Sequence, residues 1–250
     1  MMGKHTLQQI LGTPGLVSVW DFQEEAGAVR VAQGPHPYVL REGGGPIARE
    51  EGGALGPYAA RFRFGDWLWV PRAECPALNF HSEQSDLTVL AWMKREANDY
   101  PHCQAVAGMW DETDGKRQYC LFLNLRIWDS YEQVGGHVSN VGGPTEGFKY
   151  CMSSALGATE VSREEWHVTG FTYDGKQAVA YLDGVLDARE TYNPYPFAGG
   201  LYDGGPSGSD FTVGGVHRSN EMGNFYTGLL GGLAVFNRAL SAEEIAALSK

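Results

Sequence analysis

Between Glu132 and Cys151 the chain reads EQVGGHVSNVGGPTEGFKYC, five glycines around one histidine with a cluster of hydroxyl and amide side chains. His137 ionises near neutrality, so its ring could serve as a general base. Tyr150, or Tyr119 from the preceding strand, could then act as the acid of an elimination, with Arg117 or Lys149 neutralising a uronate carboxylate. Ser139, Asn140, Thr145 and Lys149 offer donors and acceptors suited to hydroxyl groups. The glycines would let a ligand approach the backbone closely. Two neighbouring stretches add to the set. Trp110 and Trp128 stand at strand ends, where an indole can face a sugar ring, and Asp111 and Glu112 follow Trp110 as a polar rim. His217 and Arg218 lie in a second loop, VHRSNEMGNFY.

These residues need a scaffold, and the pattern around them is one of short strands. GLVSVWDFQ and AARFRFGDWLWVP alternate apolar and polar positions, the second about a turn at Gly65-Asp66. SDLTVLAWMKRE continues the pattern. QAVAGMW and RQYCLFLNLRIW flank DETDGK, whose Asp114-Gly115 pair is a hairpin signal because both residues tolerate positive φ. EEWHVTGFTYDGKQAVAYLDGVL reads as a three-stranded meander with turns at Asp174-Gly175 and Asp183-Gly184. SAEEIAALSK closes the chain as a short helix, with Ser241 and Glu244 forming a capping box and Ile245 and Leu248 on the buried side. Trp20, Trp67, Trp69, Trp92 and Trp166 fall in strand patterns and are expected in the core. The glycine-rich stretch lies between strands, as QVGGHVSN and a long loop.

At 250 residues with 43% hydrophobic content the chain can bury a core. The expectation is one domain over residues 1–250. Thirty-four glycines and twelve prolines are spread in turn-like groups, which favours many short strands. The net charge of -11, with basic residues scattered singly, argues against nucleic acid and anionic membrane as partners, and no apolar run is long enough to span a bilayer. MMGKHTLQQILGTPGLVSVW lacks the continuous apolar region of a secretory signal, so a cytoplasmic protein is expected, or an extracellular one if a signal was removed. Cys75, Cys103, Cys120 and Cys151 show no metal-type spacing and are expected as four reduced thiols; a Cys103–Cys120 bridge is the alternative for an exported protein. The sequence sets no oligomeric state.

Three pieces in order, LVSVWDFQEEAG, EEWHVTGFTYDGKQAVAYLDGVL and FTVGGV…FYTGLLGGLAVFNRALSAEEI, resemble the laminin-G-like domains of the concanavalin A-like lectin and glucanase superfamily. The resemblance implies an all-β, antiparallel two-sheet jelly-roll sandwich, one sheet concave, with a short C-terminal helix. Many members carry an acidic pair where this chain has Gly231-Gly232, so no metal ligand set and no cofactor is expected, a structural calcium being the alternative. The alternating acids of the glucanase branch are also absent. The resulting expectation is a lectin-like protein that binds carbohydrate through the concave sheet and its loops. A polysaccharide lyase or glycoside hydrolase acting on an acidic or decorated glycan is the alternative, and a purely structural role a third.

Overall fold

The computed structural model describes residues 2–98 and 102–250, with side chains from residue 6 onward. Strands dominate and assemble into two antiparallel sheets, as the alternation requires. The nine-stranded sheet runs, edge to edge, through Val185–Leu186, Gln177–Leu182, Trp166–Asp174, Asp86–Arg95, Gly228–Phe236, Tyr58–Phe62 and Arg49–Glu51; Leu16–Trp20 and Tyr195–Pro196 pair onto it. The eight-stranded sheet runs through Ser154–Leu156, Val134–Val138, Tyr119–Leu123, Gln104–Met109, Phe211–Val213, Leu68–Val70, Val39–Glu42 and Arg30–Val31. Neighbours in space are often distant in sequence, which is the crossing pattern of a jelly roll.

Three apolar layers follow from period-two alternation. Between the sheets lies the main core, where Leu121, Leu123 and Val134 of one sheet meet Val89, Phe171 and Leu230 of the other. A second layer covers the outer face of the nine-stranded sheet, where Leu90, Val179 and Phe236 pack under Leu7, Ile10, Ile245 and Leu248. Those last four come from two helices, Met2–Gly12 and Ala242–Leu248, of which the sequence pattern had announced only the second. Leu7, Ile10 and Leu11 have helical spacing, but three apolar residues make a faint signal. At the C-terminal helix the capping box is present as expected, Ser241 accepting from Glu244 N and Glu244 from Ser241 N. The third layer, on the outer face of the eight-stranded sheet, holds Trp110, Cys120, Phe122, Leu125 and Leu156.

The tryptophans divide differently from expectation. Trp20 and Trp92 are buried, whereas Trp67, Trp69 and Trp166 are half-buried on outer faces. Leu68 and Val70 take the inward positions on their strand, so the intervening Trp67 and Trp69 must face out. Phe64 is 62% exposed. The strands around Asp114-Gly115 pair from Met109↔Tyr119, but the connection is a longer loop with Gly115 at its tip, at φ +65°.

The meander is formed as expected, with Tyr181↔Leu186 and Leu182↔Val185 closing on Asp183-Gly184. Asp183 has φ 50° and Gly184 φ 81°, the left-handed pair of a two-residue hairpin. A Cβ on Gly184 would also lie 3.0 Å from Ala246 Cα and Ser249 Cβ, so the turn is pressed onto the C-terminal helix. Gly184→Val is therefore expected to cost at least ~1 kcal/mol, since a β-branched residue resists positive φ and has no room to settle. Thermal unfolding checks it: a melting temperature equal to that of the unaltered protein would contradict this turn.

Candidate functional site

The third apolar layer is the floor of a cavity. Across the eight-stranded sheet His137 stands opposite Cys120, Cys120 opposite Gly108, and Gly108 opposite Thr212, so these residues share the outer face. Gly108 keeps that row flat, because a Cβ there would strike Tyr119 O and Cys120. Trp110, two residues further along the same strand direction, lays its ring 4.3 Å from that of His137, and Phe122 meets Trp110 edge-on at 5.9 Å. Leu125 covers Gly135, where a Cβ would collide with its side chain.

The walls come from three loops. After the strand Tyr119–Leu123, the backbone turns left-handed at Asn124, Arg126, Trp128 and Asp129, with φ between 51° and 57°. Four non-glycine residues in that region are costly, and they fold Leu125, Arg126 and Ile127 over the sheet. The hairpin of Val216–Arg218 and Glu221–Gly223 supplies Arg218, whose guanidinium donates to Asn224 Oδ1 at 2.7 Å. Glu112, Arg117, Tyr150, Cys103 and Cys151 complete the lining of a space of about 210 Å³.

The electrostatics of this space are set by burial and by arginines. Burial pulls His137 down to about 4, a backbone acceptor at Ser153 works against that, and the Arg117 charge adds to it. The imidazole is thus neutral at pH 7. Its Nδ1 lies 2.8 Å from the Ser153 carbonyl, which can only accept, so the proton sits on Nδ1 and Nε2 is left as an acceptor. Burial also raises the Cys103 thiol to about 11 and that of Cys151 above its usual range, so neither is a thiolate at neutral pH. All four cysteines are free thiols. Glu112 Oε1 is held by Trp110 Nε1 and Asn224 Nδ2, each at 3.4 Å.

The residues singled out from sequence are not all brought together. His137, Tyr150, Arg117, Trp110, Glu112 and Arg218 line the cavity. Tyr119 does not: it is fully buried between the sheets, donating to Leu78 O at 2.8 Å, because it alternates with Cys120 and so faces the opposite side. Trp110 is a floor and not an open platform, being 1% exposed. Trp128 is spent on packing, its Nε1 donating to Met152 O at 2.9 Å and its ring against Tyr192 and Phe148. Asp111 Oδ1 accepts from Thr113 N at 2.8 Å and shapes the hairpin tip. Ser139 Oγ accepts from Gly142 N, and Thr145 Oγ1 from Met152 N, so both hydroxyls serve the loop itself. Asn140 is exposed outside the cavity, and His217 sits edge-on to Trp67, 6.3 Å away. Lys149 places its ammonium 5.1 Å from the Tyr150 ring, beside the mouth.

The glycines of the opening stretch also have another purpose than ligand approach. Gly136 lies against Phe171 of the facing sheet, where a Cβ would come within 2.6 Å of its Cβ and Cγ. Gly142, at φ +72°, rests on Gly115 O and the Tyr202 ring. Sequence reasoning missed Cys103, Leu125, Arg126, Ile127, Cys151 and Asn224. Arg126 within LNLRIWD carried one usable signal, an arginine in a short polar interruption after a strongly apolar strand.

On the other sheet, Ser162 Oγ lies 2.7 Å from His167 Nε2, and His167 Nδ1 lies 2.8 Å from Asp183 Oδ2. These are the distances of a serine triad, but the serine proton is donated to Glu165 Oε2 at 2.6 Å. Asp183 Oδ1 in turn accepts from Val168 N at 2.8 Å, so the cluster ties the Asp183-Gly184 turn to its neighbouring strand. Among the described residues no group of three or more His, Cys, Asp or Glu side chains is placed to hold a metal ion. Gly231-Gly232 sit at a bulge, pressed by Trp166 on one and Leu55 on the other.

No curated protein sequence matches this chain. Among solved structures, domain 4 of AbnA, a GH43 extracellular arabinanase from Geobacillus stearothermophilus, in complex with arabinotriose, superposes with a TM-score of 0.58 at 14% identity, over 94% of this chain and 98% of that one. A mutant of Trypanosoma rangeli sialidase displaying trans-sialidase activity gives 0.63 at 15% identity over 99% of this chain, which spans 37% of the sialidase. The ligand-binding domain of botulinum neurotoxin serotype D, in complex with N-acetylneuraminic acid, gives 0.57 at 11% identity over 94% of this chain and 50% of that one. At such identities the likeness is one of fold. The sequence itself matches the Laminin_G_3 family over residues 72–246, most of both sheets and the C-terminal helix, and the chain therefore belongs to the concanavalin A-like lectin/glucanases superfamily.

Proposed function

We propose that this protein binds carbohydrate in the cavity above His137 and Trp110. The observation that carries the reading is the combination in one small space of the exposed Tyr150 ring, above a buried floor of Trp110 and His137, with hydrogen-bonding groups fixed at the rim. Sugars have that dual demand, since their C–H faces seek aromatic surface and their hydroxyls seek oriented polar atoms. His137 Nε2 is an acceptor, Glu112 an acceptor held in place, and Arg218 a donor already aligned by Asn224. Relatives of this fold crystallised with arabinotriose and with N-acetylneuraminic acid support a glycan at this general level.

Hydrolysis by paired carboxylates is disfavoured, because among the described residues Glu112 is the one carboxylate that lines the cavity. Elimination is favoured by one observation: His137, Tyr150 and Arg117 share the cavity, although Tyr119 is removed from it. A glycan screen read two ways separates the readings. Saturable binding without product is the expected result. Release of unsaturated products absorbing in the ultraviolet would instead establish the lyase, and neither binding nor product across neutral and acidic glycans would remove both.

A further inference from the structure

We infer that the sugar bound in this cavity carries a carboxylate and is recognised as a single terminal residue; this rests on the reading of the cavity as a glycan site. Among the described residues most arginines elsewhere in the chain find carboxylates, as Arg72 does with Asp203, Arg95 with Glu132 and Arg238 with Glu244, and the two that do not, Arg63 and Arg189, stand apart from this cavity. Arg117, Arg126 and Arg218 differ, because none of them pairs with a carboxylate among the described residues, and all three line the same space. Arg117 is buried and donates to Gly142 O at 3.3 Å, Arg126 donates to Asn124 Oδ1 at 3.1 Å, and Arg218 donates to Asn224 Oδ1 at 2.7 Å. Each guanidinium has five N–H donors, so each keeps donors beyond these neutral partners.

Among the described lining residues Glu112 offsets one of the three charges, and His137 is neutral, so these side chains carry a positive excess within a chain of net charge -11. Collecting guanidinium groups without carboxylate partners around one space costs repulsion, with desolvation added at the buried Arg117, and an anionic ligand offsets that cost. The planar fork of arginine matches a carboxylate with two parallel hydrogen bonds.

Size and the surrounding charge narrow the ligand further. About 210 Å³ is below the 300–1,000 Å³ that drug-sized ligands occupy, which leaves room for one ring and not for a chain threaded through. The acidity of the whole molecule repels a polyanion at long range, whereas a glycan ending in one carboxylated sugar presents a single charge to the local arginines.

Calorimetric titration of the full chain tests the inference, using methyl glucuronoside and the methyl glycoside of N-acetylneuraminic acid, each as free acid and as methyl ester, with neutral methyl glucoside and sodium acetate alongside. At least one free acid is expected to bind tenfold or more tighter than its ester, and which of the two does so identifies the source of the carboxylate. Arg126→Gln and Arg218→Gln, both away from the buried core, should shrink that ratio several-fold while leaving the melting temperature near that of the parent. Equal binding of acid and ester, or acid selectivity unchanged in both variants, would overturn the carboxylate while leaving the glycan site standing. Acetate binding as tightly as the sugar acids would overturn it as well, by marking a plain anion site. Absence of binding by every sugar tested, acidic and neutral, overturns the glycan site itself.

Discussion

Trp110→Ala is expected to lower the stability of the protein by about 3–5 kcal/mol, the range for removing a large buried aromatic, and to abolish ligand binding in the same step. The indole is 1% exposed, packs tilted by 31° against His137 with ring centres 4.3 Å apart and meets Phe122 edge-on, so its removal empties the floor on which the rest of the cavity stands. For a chain of this length each kcal/mol moves the melting temperature by roughly 2–4 °C, so a drop of roughly 10 °C is the measurable form of the prediction. Trp110→Phe should recover most of the loss, because a smaller ring still fills part of the layer. A Trp110→Ala protein that melts with the parent would show that the outer-face layer is not packed as described.

The second large effect is a pH dependence traceable to one side chain. His137 is only 4% exposed, and burial holds it at about 4 in the folded protein against 6.5 for the free group. The unfolded chain therefore binds a proton more readily than the folded one between those values. Stability from this group is fully present above about pH 6.5 and is lost as the pH falls toward 4, by an amount on the order of 3 kcal/mol. Other groups titrate in this window too, so the measurement is a comparison. Urea unfolding of the parent and of His137→Gln at pH 7 and pH 4 should show the variant destabilised at pH 7 and the gap narrowing or closing at pH 4. Parallel losses in the two proteins would remove His137 as the source. The same burial means that His137→Ala is not a neutral probe of binding, since it leaves the Ser153 carbonyl and the Trp110 face without their partner.

What was legible in the sequence was local. The Asp183-Gly184 turn and the Ser241–Glu244 box depend on residues adjacent in the chain, and the jelly roll follows from strand patterns matched to a known order. The site was half legible, and the reasons are physical. Alternation shows that Trp67 and Trp69 share a face but not which face is inward, because Leu68 and Val70 on the other face are equally apolar. Tyr119 was misplaced for the same reason, by one step of the pleat. The cavity walls depend on backbone in left-handed conformations at Asn124 and Arg126, residues without the glycine that usually signals such a turn. The glycines that did draw notice at 135 and 136 answer to Leu125 and Phe171, partners that only the folded sheets bring near.

The helices at Met2–Gly12 and Ala242–Leu248 both lie on the outer face of the nine-stranded sheet, and Thr6 Oγ1 donates to the Lys250 carbonyl at 3.1 Å. The two ends of the described chain are therefore neighbours, with two sheets between them and the cavity. A linker, an affinity tag or a biosensor surface attached at either end leaves the cavity facing free solution. Because the ends nearly touch, a short bridge could join them and new ends be opened in an exposed turn, giving permuted proteins whose binding face is unaltered.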